Sequence, residues 1–172
     1  MSRAFVREDD AEHAGTALPE RPRSPHTNYV TARGYAQLRE RLLALLATKS
    51  DLSQQEDMAG KQQIQVVERD LRYVQDRLES AILISPDTQP ADRVHFGATV
   101  EVLDEDDARQ TFQIVGEDEA DVQQGKISWV SPLAKALLDA RVGDVVLWQR
   151  PVGNKELEVA AIRKQALPEN RS

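Results

Sequence analysis

The sequence predicts an α+β protein in which an antiparallel two-helix coiled-coil hairpin is followed by an antiparallel sheet with one short helix. Two patterns support this fold class. Over residues 38–78, apolar side chains recur at spacings of three and four, which is typical of paired helices. From residue 94 onward, apolar and polar side chains alternate, which is typical of strands with one buried face.

The two predicted helices carry apolar stripes that mirror each other about one point of the chain. Paired antiparallel, they place the turn near residue 58 and the tip near 55–60, with Glu56 and Asp57 exposed there. The paired positions are Leu38, Leu42, Leu45, Lys49 and Leu52 in the first helix and Ile64, Val67, Leu71, Val74 and Leu78 in the second.

This register also sets the expected helix bounds. The first helix runs from about 32 to 54 behind Thr31 as N-cap, and the second from about 60 or 61 to 83. A competing turn at residues 51–54 remains open, because a serine and a glutamate three residues apart form a capping-box pattern there. We favour the first position, since the competing turn would break the pairing of the apolar stripes.

The alternating part of the chain predicts short strands around one short helix. The helix begins at Ser131-Pro132, because serine is a preferred N-cap and proline fits the first helical position. The expected strands cover residues 94–102, 111–115, 127–129, 145–148 and 157–161.

These elements divide the chain into five parts. We expect a flexible tail at 1–30, where three prolines interrupt any helix, and a disordered tail at 166–172. Between them lie the hairpin at 31–84, a linker at 85–91 and the sheet domain at 92–165.

Composition excludes several classes of protein. The chain has no cysteine and only three scattered histidines, which argues against a thiol nucleophile, a disulfide or a zinc site. Residues 85–172 carry 10 basic and 16 acidic side chains, so this half is unsuited to nucleic acid and a basic protein surface is the expected partner. The sequence shows neither an apolar signal core nor a membrane-length apolar stretch, so we expect a cytoplasmic protein that does not bind a membrane.

Several short strings, taken in order, resemble the bacterial transcript-cleavage elongation factors of the GreA/GreB type, the Gre factors. The resemblance covers about residues 29–163. The strings are Tyr29-Val30-Thr31 with Gly34-Tyr35, Val94-His95-Phe96-Gly97-Ala98, Gln113-Ile114-Val115-Gly116 with Asp118-Glu119, Ile127-Ser128, Ser131-Pro132-Leu133-Ala134-Lys135-Ala136-Leu137-Leu138 and Val142-Gly143-Asp144.

The resemblance implies an FKBP-like C-terminal domain that docks on the rim of the secondary channel of RNA polymerase. Ser131, Pro132 and Leu133 would lie at that contact. The hairpin would enter the channel toward the RNA 3′ end, and the polymerase would remain the enzyme. We expect a bacterial accessory factor, monomeric and with no cofactor bound on its own.

The same resemblance gives the hairpin tip a chemical role. Its carboxylates would help to hold a Mg²⁺ ion shared with the polymerase, since carboxylate oxygens are ligands that Mg²⁺ prefers. Hairpin symmetry assigns this role to Glu56 and Asp57, whereas the match to the family motif assigns it to Asp51.

The chain departs from the family pattern in two respects. Gre factors carry Asp-Leu-Ser-Glu-Asn at the tip, whereas this chain has Asp51-Leu52-Ser53-Gln54-Gln55, so a neutral amide replaces the second carboxylate. Each arm is also about one heptad shorter than is usual in the family, which removes roughly 10 Å of reach. Three hypotheses follow: a factor that stimulates cleavage of backtracked RNA, a regulator that occupies the channel without stimulating cleavage, and a coiled-coil adaptor with no polymerase partner.

Overall fold

The computed structural model describes residues 18–168 and confirms the fold class, since two long helices precede a curled sheet with one short helix. Helix α1 spans Ala32–Leu52 and helix α2 spans Met58–Ser80. Two short strands flank this hairpin, β1 (Tyr29–Val30) and β2 (Ile82–Leu83). The sheet domain contains β3 (Thr99–Leu103), β4 (Arg109–Val115), β5 (Lys126–Ser128), α3 (Pro132–Leu137), β6 (Val145–Trp148) and β7 (Lys155–Arg163).

The hairpin core is built from the apolar positions that the heptad pattern predicts. The buried members are Leu38, Leu45 and Leu52 of α1 and Val67, Leu71 and Val74 of α2. Lys49 is the polar residue of the stripe. Its long side chain brings the ammonium group to the surface, where Nζ lies 3.2 Å from Glu68 Oε1. The long packed seam makes the pair of helices a rigid arm, which neither helix would form alone.

The turn lies between the two positions considered from the sequence. The helices end and begin on either side of residues 53–57, so the turn is not centred near residue 58. Asp57 caps α2, because its Oδ1 accepts a hydrogen bond from the N–H of Gly60 at 2.8 Å. Helix α2 therefore begins two residues earlier than Gly60, and it ends at Ser80 rather than at residue 83.

Strands β1 and β2 pair in parallel at the base of the hairpin, an arrangement that the sequence analysis did not predict. The N–H of Ile82 donates to the carbonyl of Asn28 at 2.8 Å, and the N–H of Ile84 donates to the carbonyl of Val30 at 3.0 Å. The residues expected to form the last turn of α2 are strand instead. The segments that lead into and out of the hairpin, β1 and β2, consequently lie next to each other.

The sheet has the strand order β5-β4-β3-β7-β6. Neighbouring strands are antiparallel except β4 and β5, which run parallel, so the prediction of a fully antiparallel sheet does not hold for this pair. Residues 116–125 form a crossover with two short 3₁₀ turns in place of a hairpin loop. Helix α3 contributes to the sheet core, whose buried members include Val94, Val100, Val102, Ile114, Ile127, Leu133, Leu137, Leu157 and Val159.

The segments next to the chain ends contact the folded body. Residues 18–30, expected to be part of a flexible tail, lie along α2 and contribute β1. The N–H of Leu167 donates to Gln113 Oε1 at 3.3 Å, so the segment after β7 contacts β4. The remaining parts of the two expected tails, 1–17 and 169–172, lie outside the described residues. Among residues 18–168, no helix combines the length and the apolar character needed to cross a membrane.

Candidate functional site

The hairpin tip extends beyond the last buried leucine of α1. Leu52, at the end of α1, is 8% exposed and closes the apolar seam. The backbone then continues the helical sense for one more turn, with the N–H of Ser53 donating to Lys49 O and that of Gln55 to Leu52 O, both at 3.0 Å. The residues of the turn, 53–57, are all exposed. The side chains of this turn are therefore accessible to a binding partner at the far end of the arm.

Asp57 has a structural task at the tip. Its Oδ1 holds the first turn of α2 through the Gly60 N–H at 2.8 Å. Gly60 is needed there because a Cβ on it would lie 2.9 Å from that oxygen and 3.0 Å from Gln55 Cβ. One oxygen of Asp57 is thus used for capping, while its second oxygen and its negative charge remain at the tip.

Glu56 is exposed and makes no hydrogen bond or ion pair with any described residue. Asp51, in the last turn of α1, is also exposed. The structure therefore places Asp51, Glu56 and Asp57 at one end of the arm. The two turn positions considered from the sequence had assigned the tip either to Asp51 or to Glu56 and Asp57. Within residues 18–168 no three carboxylate or histidine side chains are arranged to hold a metal ion, so the tip can supply ligands but not a complete site.

The family string Asp51-Leu52-Ser53-Gln54-Gln55 spans the end of α1 and the start of the turn. The turn begins within this string, and the apolar positions of both stripes still lie in or against the hairpin core. Gln54, which the resemblance matches to the second acid of the family string, is exposed.

The opposite end of the arm is joined to the sheet domain by a buried cation. Arg77 of α2 is 5% exposed. Its guanidinium donates to Asn28 Oδ1 at 2.6 Å and to Asp118 Oδ2 at 2.6 Å, and Asn28 Nδ2 donates back to Arg77 O at 2.7 Å. Because these groups belong to three separate segments, the network fixes how the arm leaves the domain.

A second buried contact at the base joins the start of α1 to the same loop. Thr31 Oγ1 accepts a hydrogen bond from the Gly34 N–H at 3.0 Å and donates toward the carboxylate of Glu119, whose oxygens lie 2.6 and 2.8 Å away. Glu119 is 7% exposed, so Thr31 serves both as helix cap and as partner of a buried carboxylate. Gly116 sits between the two parts, where a Cβ would clash with the carbonyl of Tyr29.

Tyr73 extends this network toward the middle of α2. Its hydroxyl donates to Asp118 Oδ1 at 2.5 Å. Burial raises the pKa of Tyr73 to about 12, and the bond to Asp118 acts in the same direction. The side chain therefore stays a neutral donor well above the ordinary pKa of tyrosine.

The three residues predicted to contact the polymerase, Ser131, Pro132 and Leu133, are only partly at the surface. Ser131 Oγ accepts from the Ala134 N–H at 3.2 Å and caps α3 as expected. Pro132 is exposed and Ser131 half-buried, but Leu133 is 4% exposed and packs in the sheet core. Leu133 therefore cannot contact a partner without leaving the core, because helix α3 turns this side chain toward the sheet.

Sequence reasoning missed the residues of the base. Asp118 and Glu119 belong to one of the strings that carry the family resemblance, yet no partner could be named for them. Arg77 lies in an amphipathic helix, where a basic residue usually faces solvent. The available signal was the acidic triplet at 117–119, which follows directly after the buried end of β4, where acids need cationic or hydroxyl partners if they are buried too.

Fold and site together define a protein that holds an acidic tip on a helical arm at a distance from a small sheet domain. A family model described as "Transcription elongation factor, GreA/GreB, C-term" matches residues 89–164. Transcription elongation factor GreB of Neisseria meningitidis serogroup B is 38% identical over 151 residues, which covers 78% of this chain and 93% of that protein. The GreA factor of Alkalilimnicola ehrlichii is 37% identical, covering 78% of this chain and 96% of its own length.

Among solved structures, GreA factor homolog 1 (Gfh1) of Thermus thermophilus is 31% identical, covering 80% of this chain and 99% of that chain with a TM-score of 0.37. The extent and identity of the sequence matches settle the family. The chain belongs to the GreA/GreB family of transcription elongation factors.

Proposed function

We propose that this protein binds RNA polymerase at the secondary channel and inserts its hairpin to stimulate cleavage of backtracked RNA by the polymerase. The observation that carries the proposal is the exposed carboxylate of Glu56, which has no partner among residues 18–168 and lies at the same end of a rigid arm as Asp51 and Asp57. A charge without an internal partner at such a place is available to a ligand outside the chain.

The arm supplies position rather than catalysis. Helices of 21 and 23 residues extend for about 32–35 Å at 1.5 Å per residue. The buried base contacts of Arg77 and Thr31 fix the direction of the arm relative to the sheet domain. A sheet domain docked on the channel rim through the corner at Ser131 and Pro132 would then direct the tip inward. In this proposal the protein acts as a monomeric accessory factor in the bacterial cytoplasm.

The ion involved would be a Mg²⁺ shared with the polymerase, because the tip alone does not form a complete site. When bound, Mg²⁺ would activate a water and stabilise charge on the phosphate that is attacked. Glu56 would hold the ion, with Asp51 as the second ligand from the last turn of α1. Asp57 would contribute its charge while its Oδ1 keeps the turn in shape.

One observation favours a second candidate function, occupation of the channel without cleavage. Gln54 stands where the family has a carboxylate, and a neutral amide oxygen is a weaker Mg²⁺ ligand. The resemblance also predicts an arm about one heptad shorter than is usual in the family. If Glu56 cannot take over the role of the missing acid, the protein would block the channel and do no more.

The test is transcript cleavage in a stalled, backtracked elongation complex of the cognate polymerase. Glu56→Gln and Asp51→Asn remove one charge each, and Asp57→Asn removes a charge but keeps an N-capping side chain. Glu79→Gln, an exposed acid near the base of α2, is the matched control. We expect Glu56→Gln to slow cleavage by an order of magnitude or more at saturating factor, and Glu79→Gln to leave it unchanged.

The same variants are then compared in competition with GreB for polymerase. If the wild type stimulates cleavage and Glu56→Gln, Asp51→Asn and Asp57→Asn stimulate it equally well, the tip carboxylates take no part in the reaction. Competition without any cleavage by the wild type would establish the second candidate function. Failure of the wild type to bind polymerase would overturn both and leave the coiled-coil adaptor.

A further inference from the structure

A short segment before β1 contacts both the arm and the sheet domain. We call residues 20–28 the strap. Its first half lies on α2, where Glu20 Oε1 is 2.7 Å from Arg72 Nη2 and Arg23 Nη1 is 3.3 Å from Asp76 Oδ1. Because the charges of the strap are opposite to those of α2 at both places, this half of the strap is fixed in register with the helix.

Arg21 lies between these two ion pairs in the strap. Its guanidinium is 3.7 Å from the centre of the Tyr73 ring, within the range of a cation–π contact, and its Nη1 is 3.7 Å from Asp70 Oδ1. Only 39% of the Arg21 side chain is exposed. The first half of the strap is therefore held on α2 by packing as well as by charge.

The second half of the strap contacts the sheet domain. Ser24 Oγ donates to Glu117 Oε1 at 2.9 Å and accepts a hydrogen bond from the His26 N–H at 3.2 Å. The His26 ring lies edge-on to Trp129, with 6.0 Å between the ring centres. Glu117 belongs to the crossover at 116–125 and Trp129 directly follows β5, so the strap joins α2 to two parts of the sheet domain.

An open cavity lies in the corner that the strap crosses. The cavity has a volume of about 350 Å³ and separates parts of the strap, α2 and the crossover. Its lining residues are 22–26 of the strap, Tyr73 and Arg77 of α2, and Glu117 and Asp118 of the crossover. The strap thus bridges the angle between the arm and the sheet domain without filling it.

The strap holds α2 at a distance from the point about which the arm would turn. The buried bonds of Arg77 and Thr31 lie at that point, where a small displacement permits a large movement of the tip. Arg72 and Asp70 lie about 8 and 10 Å further along α2, since the helix rises about 1.5 Å per residue. Contacts displaced from a pivot resist rotation better than contacts at the pivot itself.

The sequence of the strap makes it stiff. Prolines occur at 22 and 25, where their rings fix the backbone angle φ, and each proline also restricts the residue before it. Residues 20–28 contain no glycine. A stiff segment held at both ends transmits force between them, whereas a flexible segment would only tether them.

We infer that the strap is a brace, which fixes the angle between the arm and the sheet domain and thereby directs the tip. Arg21, Arg23 and Ser24 are then positioning residues, which act through the direction of the arm and touch neither the metal nor the RNA. The inference about the angle concerns the free protein. Its consequence for polymerase rests on the proposed function.

A brace works only while both of its ends hold, so each end is released separately. For the α2 end, Glu20→Arg with Arg23→Glu places like charges opposite Arg72 and Asp76. Adding Arg72→Glu and Asp76→Arg restores both pairs with reversed polarity and is the matched control. These four side chains are partly or fully exposed, so the exchanges leave the core of the arm unchanged.

For the domain end, Ser24→Ala with His26→Ala removes the bond to Glu117 and the ring contact with Trp129. The matched control is Thr27→Ala, which shortens an exposed side chain in the same half of the strap. Both variants keep the ion pairs of the first half, so they test the domain end alone.

The angle is measured with pairs of spin labels, which the absence of cysteine makes specific. One label is placed on the tip at Gln54→Cys and the other on the sheet domain at Glu105→Cys or Val152→Cys, two exposed turn positions. The pair Gln54→Cys with Glu79→Cys lies within the arm and reports whether the arm stays intact. A swing of about 10° moves a tip about 33 Å from the base by roughly 6 Å, so release should broaden at least one tip-to-domain distance distribution by about that amount.

We expect both release variants to broaden a tip-to-domain distribution and both control variants to keep the wild-type width. The distance within the arm should stay the same in all of them. Unchanged tip-to-domain widths after release would overturn the inference, and so would broadening by release at only one end. Broadening of the distance within the arm would also overturn it, because the strap would then hold the two helices together instead of directing them.

The consequence for function is measured by the dependence of transcript cleavage on factor concentration. A swinging arm must be ordered when it enters the channel, which weakens binding without changing the reaction at the tip. Release of either end should raise the half-maximal concentration roughly threefold to tenfold and leave the maximal rate unchanged. An unchanged half-maximal concentration would overturn the role of the strap in directing the tip.

The two proposals fail in different ways. If the wild type binds polymerase without stimulating cleavage, the half-maximal concentration is taken from competition with GreB, and the same increase is expected. If the wild type does not bind polymerase at all, the proposed function is overturned, whereas the label distances still decide whether the strap is a brace.

Discussion

The two ends of helix α2 use charge in opposite ways. At the tip, Glu56 is exposed and has no partner among the described residues, and Asp57 uses one oxygen for a helix cap. At the base, Arg77 is buried and bonded to Asn28 and Asp118. Charges that satisfy each other fix an orientation, whereas an unsatisfied charge is available to a ligand. One helix thus separates the groups that hold the protein together from those that can act on a partner.

The largest loss of stability is expected at the base. Arg77→Ala removes the buried cation that bonds Asp118 and lies 3.8 Å from Glu117 Oε2. The free energy of unfolding should therefore fall by about 3–5 kcal/mol. Urea denaturation followed by circular dichroism at 222 nm measures this. Arg72→Ala, which removes only the exposed pair with Glu20, is the control and should cost less than about 1 kcal/mol. Similar losses in both variants would contradict the contrast between buried and exposed charge.

The next largest effect concerns the start of α1. Thr31→Ala removes the helix cap and the hydroxyl that bonds buried Glu119, so the free energy of unfolding should fall by about 2–3 kcal/mol. Thr31→Ser keeps the oxygen and should lose less than about 1 kcal/mol. The same urea titration compares them, and an equal loss in the two variants would show that the hydroxyl is unimportant.

A smaller effect is expected at the tip. Asp57→Ala removes the N-cap of α2 and should cost about 1 kcal/mol, whereas Asp57→Asn retains a capping side chain and should cost a few tenths. Thermal unfolding of the two variants measures the difference. Because asparagine carries no charge, a cleavage defect common to both variants together with a stability defect only in Asp57→Ala would separate the structural from the electrostatic role.

The smallest effect is a pH dependence at the base. The pKa of Tyr73 is raised to about 12 in the folded protein, so between its ordinary value near 10 and that value the folded state holds a proton that the unfolded state releases. Stability from this group is complete below about pH 10 and is lost as the pH rises toward 12, by of the order of 1 kcal/mol after allowance for solvent access. Tyr73→Phe should lose less stability than the wild type between pH 10 and 12, and parallel curves would show that folding does not raise the pKa of Tyr73.

The sequence predicts the arm better than its ends. Apolar periodicity correctly predicts that Leu45, Leu71 and Val74 are buried between the helices, because the spacing of apolar residues along one helix determines which of its faces is buried. The turn position depends on which side chain caps α2, and both Ser53 and Asp57 are good N-caps. The mirror symmetry of the two apolar stripes favours a turn near residue 58, whereas the observed cap at Asp57 places the turn at 53–57.

Contacts between distant segments could not be predicted in the same way. Asn28 and Arg77, or Thr31 and Glu119, are far apart in the chain, and no local pattern joins them. The parallel pairing of β4 with β5 likewise depends on the path of the crossover at 116–125. Leu133 was assigned to a partner contact because its neighbours carry the family resemblance, but the direction of its side chain is set by α3 packing on the sheet.

The parallel pairing of β1 with β2 makes the hairpin a modular insert. The residues on either side of the hairpin lie on neighbouring strands, about 4.8 Å apart in the hydrogen-bonding direction. One heptad added to or removed from each helix would therefore shift the tip by about 10 Å and leave the junction unchanged. Arm length can vary independently of the docking domain, so related chains with arms of different reach can share one base.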